Sequence, residues 1–219
     1  MRTLLINRPD RPSRLSIMRD RLDALEIRFD VLPAVVPPAR EPFHTVGMRG
    51  AAMSHLMAGL LASVDEPTLV LEDDVLFHPD IVSLLRAALF EPPKGWDKIF
   101  LGIKHVCPEG EQRVSDLLWS VSKALHLHAY VLNPETVEKV RRLYFEFLNR
   151  PAPCHIDEFL NDDAVSLNRF CVRPTLAWQE GGWSDTLETE RAQLADSFWP
   201  GERTEEENNS RTNTLLVSA

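Results

Sequence analysis

Short apolar runs typical of β-strands alternate with segments of helical periodicity along most of this chain. After the first such run, Leu4 to Ile6, the residues Leu15, Met18, Leu22 and Leu25 recur at the spacing of one helix face. The alternation predicts an α/β, Rossmann-like fold, with a mostly parallel central sheet flanked by helices. We expect further strands near residues 29–36, 68–71, 98–102, 127–132, 170–172 and 176–178, and further helices near residues 47–64, 79–88, 134–149 and 156–167.

Length and charge narrow the class of protein. The 219 residues suffice for one sizeable core, so we expect one domain over residues 1–200 and a polar, poorly ordered tail over residues 201–219. No apolar stretch reaches about 18 residues, which predicts no transmembrane segment and a cytoplasmic protein. Three widely spaced cysteines fit a reducing compartment. A formal net charge of -9 repels phosphate and makes a nucleic-acid polymer an unfavourable partner.

An acidic cluster, Glu72-Asp73-Asp74, directly follows the apolar run 68–71. In open α/β sheets ligands bind beyond the carboxyl ends of strands, and the polar turn from Asn7 to Arg14 follows another strand. On an extended segment Glu72 and Asp74 share one side, where paired carboxylates suit Mn²⁺ or Mg²⁺. Asp73 points the other way and is expected to accept hydrogen bonds from a ribose or from backbone N–H groups. The alternative is a solvated turn that caps the next helix.

The turn after the first strand carries basic residues. Asp10 is expected to cap the first helix, which places Arg11 and Arg14 on one face near the positive end of the helix dipole. Guanidinium groups there predict a site for an anion or a nucleotide, and surface ion pairs with Asp10 or Asp20 are the simpler alternative. No glycine-rich phosphate loop of the G-x-G-x-x-G or Walker type occurs, which argues against a dinucleotide dehydrogenase or a P-loop enzyme.

Several sequence blocks occur in order over about residues 3–186. They are Leu5–Arg14, Gly50–His55, Leu69–Val75, Trp96–Gly102, His128–Pro134, His155–Asp157, and Gln179 with Ser184-Asp185. The set resembles glycosyltransferase family 25, which includes bacterial lipooligosaccharide galactosyltransferases and, more distantly, procollagen galactosyltransferases. The block around Glu72-Asp73-Asp74 matches the hallmark E-D-D strand of that family closely. The ordered set is far more specific than any single block.

The resemblance implies a GT-A fold, a UDP-sugar donor, Mn²⁺ or Mg²⁺ held by Glu72 and Asp74, and inversion at the anomeric carbon. Galactose is the favoured hexose. The acceptor hydroxyl stays open, with lipopolysaccharide or another cell-surface glycan as one setting. The chain departs from the family in having Ala51 or Ala52 where a cysteine is usual, and in the short loops that would shape an acceptor site.

Roles for individual side chains follow from the blocks. An inverting transfer needs a base, for which Asp157 and Asp185 are the candidates. Contacts with the donor are expected from Asn7, Arg8, Arg11, Arg14, Ser54, His55 and Asp73, and contacts on the acceptor side from Tyr130, Gln179 and Trp183. Structural alternatives remain: Asp157 as a charge at a helix start, Ser54 with His55 as a buried hydrogen-bonded pair, and the aromatic residues as core.

Together the sequence predicts an inverting, metal-dependent hexosyltransferase. A catalytically degenerate GT-A-like protein that binds nucleotides or acts as a scaffold is the alternative, and the intact acids at positions 72–74 argue against it. A nucleotide-sugar pyrophosphorylase would need a glycine-rich loop after the first strand. A haloacid-type phosphatase would need a D-x-D-x-T motif at the acidic cluster, which is absent there.

Overall fold

A computed structural model of the chain describes residues 1–105, 111–149, 154–162, 165–184 and 189–191. The helices are α1 (Pro12–Ala24), α2 (Val46–Leu61), α3 (Ile81–Ala88), α4 (Val137–Leu148) and α5 (Ile156–Leu160). The strands are β1 (Arg2–Asn7), β2 (Asp30–Pro33), β3 (Thr68–Glu72), β4 (Val75–Phe77), β5 (Lys98–Phe100), β6 (Lys104–His105), β7 (Gln112–Arg113), β8 (Leu118–Ser120), β9 (Ala124–Leu125), β10 (Ala129–Leu132), β11 (Arg169–Val172), β12 (Ala177–Gln179), β13 (Gly182–Ser184) and β14 (Thr189–Arg191). None of these helices is long and apolar enough to cross a bilayer.

The main sheet has eight strands in the order β2-β1-β3-β10-β5-β11-β8-β7. Strand β1 is parallel to β2 and β3, and β5 is parallel to β11. The other pairings are antiparallel, including both pairings of β10. The α/β class is therefore confirmed, while the sheet is mixed and not mostly parallel. The described residues between β5 and β10 form short strands, whereas a parallel pairing needs a long crossover, usually a helix.

Strand β3 is buried on both faces of the sheet. Leu69, Val70 and Leu71 are each 0% exposed. Val70 packs into the core on the side of α2, α4 and α5, whereas Leu69 and Leu71 pack on the side of α1 and α3. Because side chains alternate along a strand, Glu72 points to the same side as Val70, toward α2.

The ends of several elements differ from the sequence expectations. Helix α1 begins at Pro12 with Arg11 at the N-cap and no side-chain cap, so Asp10 does not cap it. Helix α5 ends at Leu160, well before the expected residue 167. Strand β4 was not expected, and it pairs with β12 in a separate two-stranded sheet. The predicted tail, residues 201–219, lies outside the described residues.

Candidate active site

A cavity of about 600 Å³ opens at the carboxyl ends of β1 and β3. The segment after β2 and the first half of α2 complete its wall. The residues predicted for the site that line it are Arg8, Arg14, Ser54, His55, Glu72, Asp73 and Asp74. The structure thus brings the turn after β1 and the acidic cluster to one cavity, at the edge of the sheet where α/β proteins bind ligands.

The acidic cluster forms a turn between two strands that belong to different sheets. Strand β3 ends at Glu72, and Asp73 and Asp74 make the turn into β4. The Nε2 atom of Gln179 donates to Glu72 Oε2 at 3.1 Å and lies 3.4 Å from Asp74 Oδ2. The carboxylates of Glu72 and Asp74 therefore converge on one amide. They do so because the turn folds Asp74 back, and not because the segment is extended as the sequence analysis assumed.

Asp73 is held on the opposite side of the turn by two side chains. Asn7 Nδ2 donates to Asp73 Oδ2 at 2.8 Å, and Arg14 Nη1 donates to Oδ1 at 3.1 Å. Both donors are side-chain groups, whereas the sequence analysis predicted backbone N–H groups or a ribose as the donors to Asp73. Asn7 is buried and is not among the residues that line the cavity, so its described role is to position Asp73. Arg14 both lines the cavity and forms the ion pair.

The other two arginines of this turn differ in position. Arg8 lines the cavity and pairs with Asp10 at 2.7 Å, and the hydrogen bond from Arg8 lowers the pKa of Asp10. Arg11 is the N-cap residue of α1 and does not line the cavity. Of the pair Arg11 and Arg14, only Arg14 therefore lines the cavity.

Ser54 and His55 lie in α2 and are both buried and in contact with the cavity. Ser54 Oγ donates to Gly50 O at 2.7 Å and accepts from the backbone N–H of Val35 at 2.8 Å. The bond from Val35 links α2 to the segment that follows β2. His55 Nε2 lies 3.1 Å from Glu72 Oε1. Ser54 therefore holds the cavity wall at Val35, and His55 holds the carboxylate of Glu72.

Tyr130 does not face an acceptor. It is 0% exposed, and its hydroxyl lies 3.0 Å from His55 Nδ1 and 3.4 Å from the Tyr144 hydroxyl. Lys98 Nζ in turn donates to the Tyr144 hydroxyl at 2.7 Å. The predicted acceptor-side role of Tyr130 is wrong, since a fully buried hydroxyl cannot touch a ligand in the cavity.

Lys98 and Tyr144 are site-related residues that the sequence analysis missed. Burial lowers the pKa of Lys98 to about 7, the nearby charge of Arg169 adds to that effect, and Asp97 opposes it. Burial also raises the pKa of Tyr130 and of Tyr144 above the ordinary tyrosine value. The available signals were a lysine inside an apolar strand and a tyrosine on the buried face of an amphipathic helix.

The remaining residues predicted for the site either do not line the cavity or lie outside the part of the chain that the structure describes. Asp157 accepts hydrogen bonds from the backbone N–H groups of His126 and Glu158, each at 3.0 Å, and does not line the cavity. Gln179 is buried between the acids and not on an acceptor side. Asp185 lies outside the described residues, and only the backbone of Trp183 is described, in β13.

The donor atoms of Glu72 and Asp74 suit a hard divalent cation. Among the described residues no three His, Cys, Asp or Glu side chains form a group that could hold a metal alone. Mg²⁺ and similar ions are commonly bound by one or two carboxylates, with water and ligand phosphate oxygens filling the other positions. Two convergent carboxylates beside an open cavity fit that pattern, and the neighbouring guanidinium groups of Arg8 and Arg14 suit an anionic ligand.

Comparison with known proteins supports the family resemblance. No protein-family model matches the chain. A curated relative from Aedes aegypti, a glycosyltransferase 25 family member, is 25% identical over an alignment 230 positions long that covers 85% of this chain. The resemblance stated from the sequence blocks is thereby confirmed. The chain spans only 38% of the length of that relative.

Two solved structures are similar to part of this chain. A glycosyltransferase involved in the glycosylation of the major capsid of PBCV-1 is 10% identical with a TM-score of 0.48, and the match covers 77% of this chain and 79% of the other. The galactosyltransferase LgtC, solved in complex with donor and acceptor sugar analogues, is 14% identical with a TM-score of 0.47, over 74% of this chain and 69% of the other.

Proposed function

We propose that this chain is a glycosyltransferase that binds a nucleotide-sugar donor in the cavity beside the acidic turn. The observation that carries the proposal is the convergence of Glu72 and Asp74 on Gln179 at one side of the cavity. Arg8 and Arg14 line the same cavity, so a diphosphate would meet guanidinium groups and a carboxylate-bound cation together.

The size and wall of the cavity support a ligand of this class. Small-molecule sites span roughly 300–1,000 Å³, and this cavity of about 600 Å³ lies within that range. Gly50 and Ala51 on α2 pack beside the segment Val35–Pro37, and together they give the cavity an apolar wall. An apolar wall suits the flat face of a nucleobase, and the charged residues Arg8, Arg14 and Asp74 that line the same cavity suit the phosphates and the cation.

A divalent cation, Mn²⁺ or Mg²⁺, is part of the proposal. Glu72 and Asp74 would hold it, and its charge would stabilise the nucleoside diphosphate that leaves in the reaction. The protein itself contributes the fixed orientation of these carboxylates through His55 and Gln179. It also contributes the guanidinium groups of Arg8 and Arg14 for the phosphates.

The transfer itself would be a single displacement. The acceptor oxygen forms a bond to the anomeric carbon, the bond from that carbon to the diphosphate oxygen breaks, and its electron pair leaves with the diphosphate. A carboxylate takes the acceptor proton, and the anomeric configuration inverts. Of the two candidates for that base, Asp157 is bonded to backbone N–H groups outside the cavity. Asp185 stays a prediction from the sequence.

The finer identity of the substrates rests on the family resemblance. We propose UDP as the nucleotide and galactose as the sugar, with an acceptor hydroxyl on lipopolysaccharide or another cell-surface glycan. The donor sugar is the first property to measure.

A donor-hydrolysis screen tests the proposal, because hydrolysis needs no acceptor. Nucleotide sugars are incubated with the protein with and without Mn²⁺, and nucleotide release is measured. We expect release that requires Mn²⁺ and that Asp74→Ala abolishes. Asp116→Ala, which removes an exposed carboxylate away from the cavity, is the matched control and should behave as the wild type.

Two outcomes would contradict the proposal. Undiminished hydrolysis by the Asp74→Ala variant would exclude the acidic turn as the reaction centre. Mn²⁺-dependent nucleotide binding by calorimetry, without hydrolysis or transfer of any donor, would favour the catalytically degenerate alternative.

A further inference from the structure

Four side chains form a line of hydrogen bonds from the core to the cavity, which we call the buried polar chain. It runs from Lys98 through Tyr144 and Tyr130 to His55, with heavy-atom distances of 2.7, 3.4 and 3.0 Å, and ends on Glu72 at 3.1 Å. The four residues come from β5, α4, β10 and α2. The buried polar chain includes both tyrosines of the protein. Buried polar side chains in such numbers are costly unless each bond is made.

The two ends of the buried polar chain set the direction of its hydrogen bonds. An ionised carboxylate only accepts, so His55 Nε2 must carry a proton and donate to Glu72. Lys98 donates at the other end, to Tyr144. If Tyr144 then donates to Tyr130 and Tyr130 to His55 Nδ1, every link has one donor and one acceptor.

The direction also selects one form of the imidazole. With Nδ1 accepting from Tyr130, His55 is the neutral tautomer with its proton on Nε2. The opposite tautomer would place a lone pair against the Glu72 carboxylate. Lys98 also lies over the Tyr130 ring, 4.1 Å from its centroid, which restrains the ring that presents the hydroxyl.

We propose that Tyr130 is a positioning residue that holds His55 as the Nε2–H tautomer, so that His55 fixes the Glu72 carboxylate for a divalent cation, with Tyr144 supporting Tyr130. The inference rests on the proposed function in one respect, namely that Glu72 and Asp74 bind the cation. Neither tyrosine touches the cavity, so any effect on the site passes through His55. Residues that orient a metal ligand in this way typically change metal affinity by roughly 10- to 100-fold.

The test combines two measurements on Tyr130→Phe, a variant that removes only the hydroxyl. The nitrogen-15 spectrum of histidine-labelled protein reports the tautomer of His55, whose signals are assigned by their loss in His55→Gln. Electron paramagnetic resonance of free Mn²⁺ reports cation affinity without any nucleotide. We expect Nε2–H in the wild type, loss of that single tautomer in Tyr130→Phe, and Mn²⁺ binding weakened by roughly 10-fold or more.

Control variants separate positioning from simple loss of stability. Phe147→Leu perturbs the same core without a hydrogen bond to the buried polar chain, and it should leave the tautomer and the Mn²⁺ affinity unchanged. Tyr144→Phe lies one link further away and should shift both measurements in the same direction by a smaller amount. If Tyr130→Phe does not fold, Tyr144→Phe serves as the test in its place.

Different experimental results would overturn this inference and the proposed function. Unchanged tautomer and Mn²⁺ affinity in both tyrosine variants overturn the positioning role, even if the wild type hydrolyses nucleotide sugars. Absence of Mn²⁺ binding by the wild type overturns it as well. Conversely, a changed tautomer and weakened Mn²⁺ binding establish the positioning role even if no sugar donor is hydrolysed.

Discussion

The acidic turn is held differently on its two sides. The Asp73 side chain is 12% exposed and bonds to the buried Asn7 and to Arg14, whose side chain is 27% exposed. We call this the exposed side, because its charged partner reaches solvent. The Glu72 side chain is itself 27% exposed, but it bonds to His55, whose side chain is 3% exposed and is held by Tyr130; we call this the buried side. The exposed side thus combines an ion pair at the cavity wall with one hydrogen bond from Asn7, and the buried side is a continuous set of hydrogen bonds through the core.

The difference indicates that Glu72 and Asp73, although adjacent in sequence, have different roles. An exposed guanidinium can leave its carboxylate when an anionic ligand arrives, and salt screens its attraction. A buried hydrogen-bonded side chain keeps one orientation, because moving it would break bonds that no water can replace. We infer that the Asp73 side adapts to the ligand while the Glu72 side stays fixed. The following predictions test that contrast, from the largest expected effect to the smallest.

Neutralising the two sides should have very different effects on Mn²⁺ binding. Glu72→Gln removes a proposed ligand, and we expect Mn²⁺ affinity to fall by more than about 100-fold, beyond the effect typical of residues that only orient ligands. Asp73→Asn keeps the shape and loses only the ion pair with Arg14, so the expected loss is about 10-fold or less. Titration calorimetry with UDP present measures both. Equal losses in the two variants would remove the distinction between the sides.

Two glycines of α2 allow the cavity wall and the buried core to be compared. A Cβ at Gly50 would lie 2.6 Å from the backbone oxygen of Val35, whereas a Cβ at Gly59 would meet only the Tyr144 ring, at 3.2 Å. We expect Gly50→Ala to lower the free energy of unfolding by about 1–3 kcal/mol through overpacking. Gly59→Ala should change it by less than about 1 kcal/mol, since helix propensity offsets the tight contact. Urea denaturation of both variants checks this, and a Gly50→Ala variant as stable as the wild type would contradict the described wall.

The lowered pKa of Lys98 predicts a pH-dependent stability. The unfolded chain holds this proton up to the ordinary lysine pKa of about 10.4, and the folded protein loses it near pH 7. The unfolded state therefore binds more protons between these values, so this group makes the folded protein more stable as pH rises through that window. The gain is at most about 1.4 kcal/mol per pH unit.

Lys98→Met removes the titrating group, so the difference in the free energy of unfolding between the wild type and this variant reports the contribution of Lys98 alone. We expect the free energy of unfolding of the wild type to rise relative to that of Lys98→Met between pH 7.5 and 9.5, measured by urea denaturation. Lys94→Met, at an exposed position, is the matched control and should track the wild type. A constant difference between wild type and Lys98→Met across this range would show that Lys98 keeps its proton in the core.

The smallest effect is expected at the outer edge of the exposed side. Asp10 is a fully exposed partner of Arg8, so Asp10→Asn should leave the free energy of unfolding unchanged within the error of denaturation. Because Arg8 lines the cavity, its release should strengthen UDP binding by a few-fold at low salt, and 0.5 M salt should remove the gain. Weaker binding of UDP by this variant would assign Asp10 a direct role.

The sequence predicted the exposed side better than the buried side. The acidic cluster and the turn with Arg14 were placed at strand ends, and strand ends of one sheet meet at one edge. The α/β class and most helices followed from periodicity, since each helix buries one face. Such inferences need only local pattern and the geometry of a parallel pair of strands.

The buried side depends on distant contacts that local pattern does not contain. Tyr130 reaches His55 only because β10 lies antiparallel beside β3, a pairing that periodicity does not specify. Lys98 was predicted only as part of the strand near residues 98–102, and nothing in that pattern shows that the core surrounds it or that Tyr144 accepts its hydrogen bond. The convergence of Glu72 and Asp74 was predicted on an incorrect premise, because the turn into β4 was taken as extended chain.

The acidic turn joins two sheets, and this has a consequence for the mechanics of the molecule. Glu72 closes β3 of the main sheet, whereas Gln179 belongs to β12 of the two-stranded sheet, and the two side chains meet. A cation bound to Glu72 and Asp74 would hold the turn at which the two sheets meet, and only in the folded state. Mass action then makes the thermal stability of the protein depend on the metal concentration. At a concentration 100 times the dissociation constant, the bound cation would add about 2.7 kcal/mol to the free energy of unfolding.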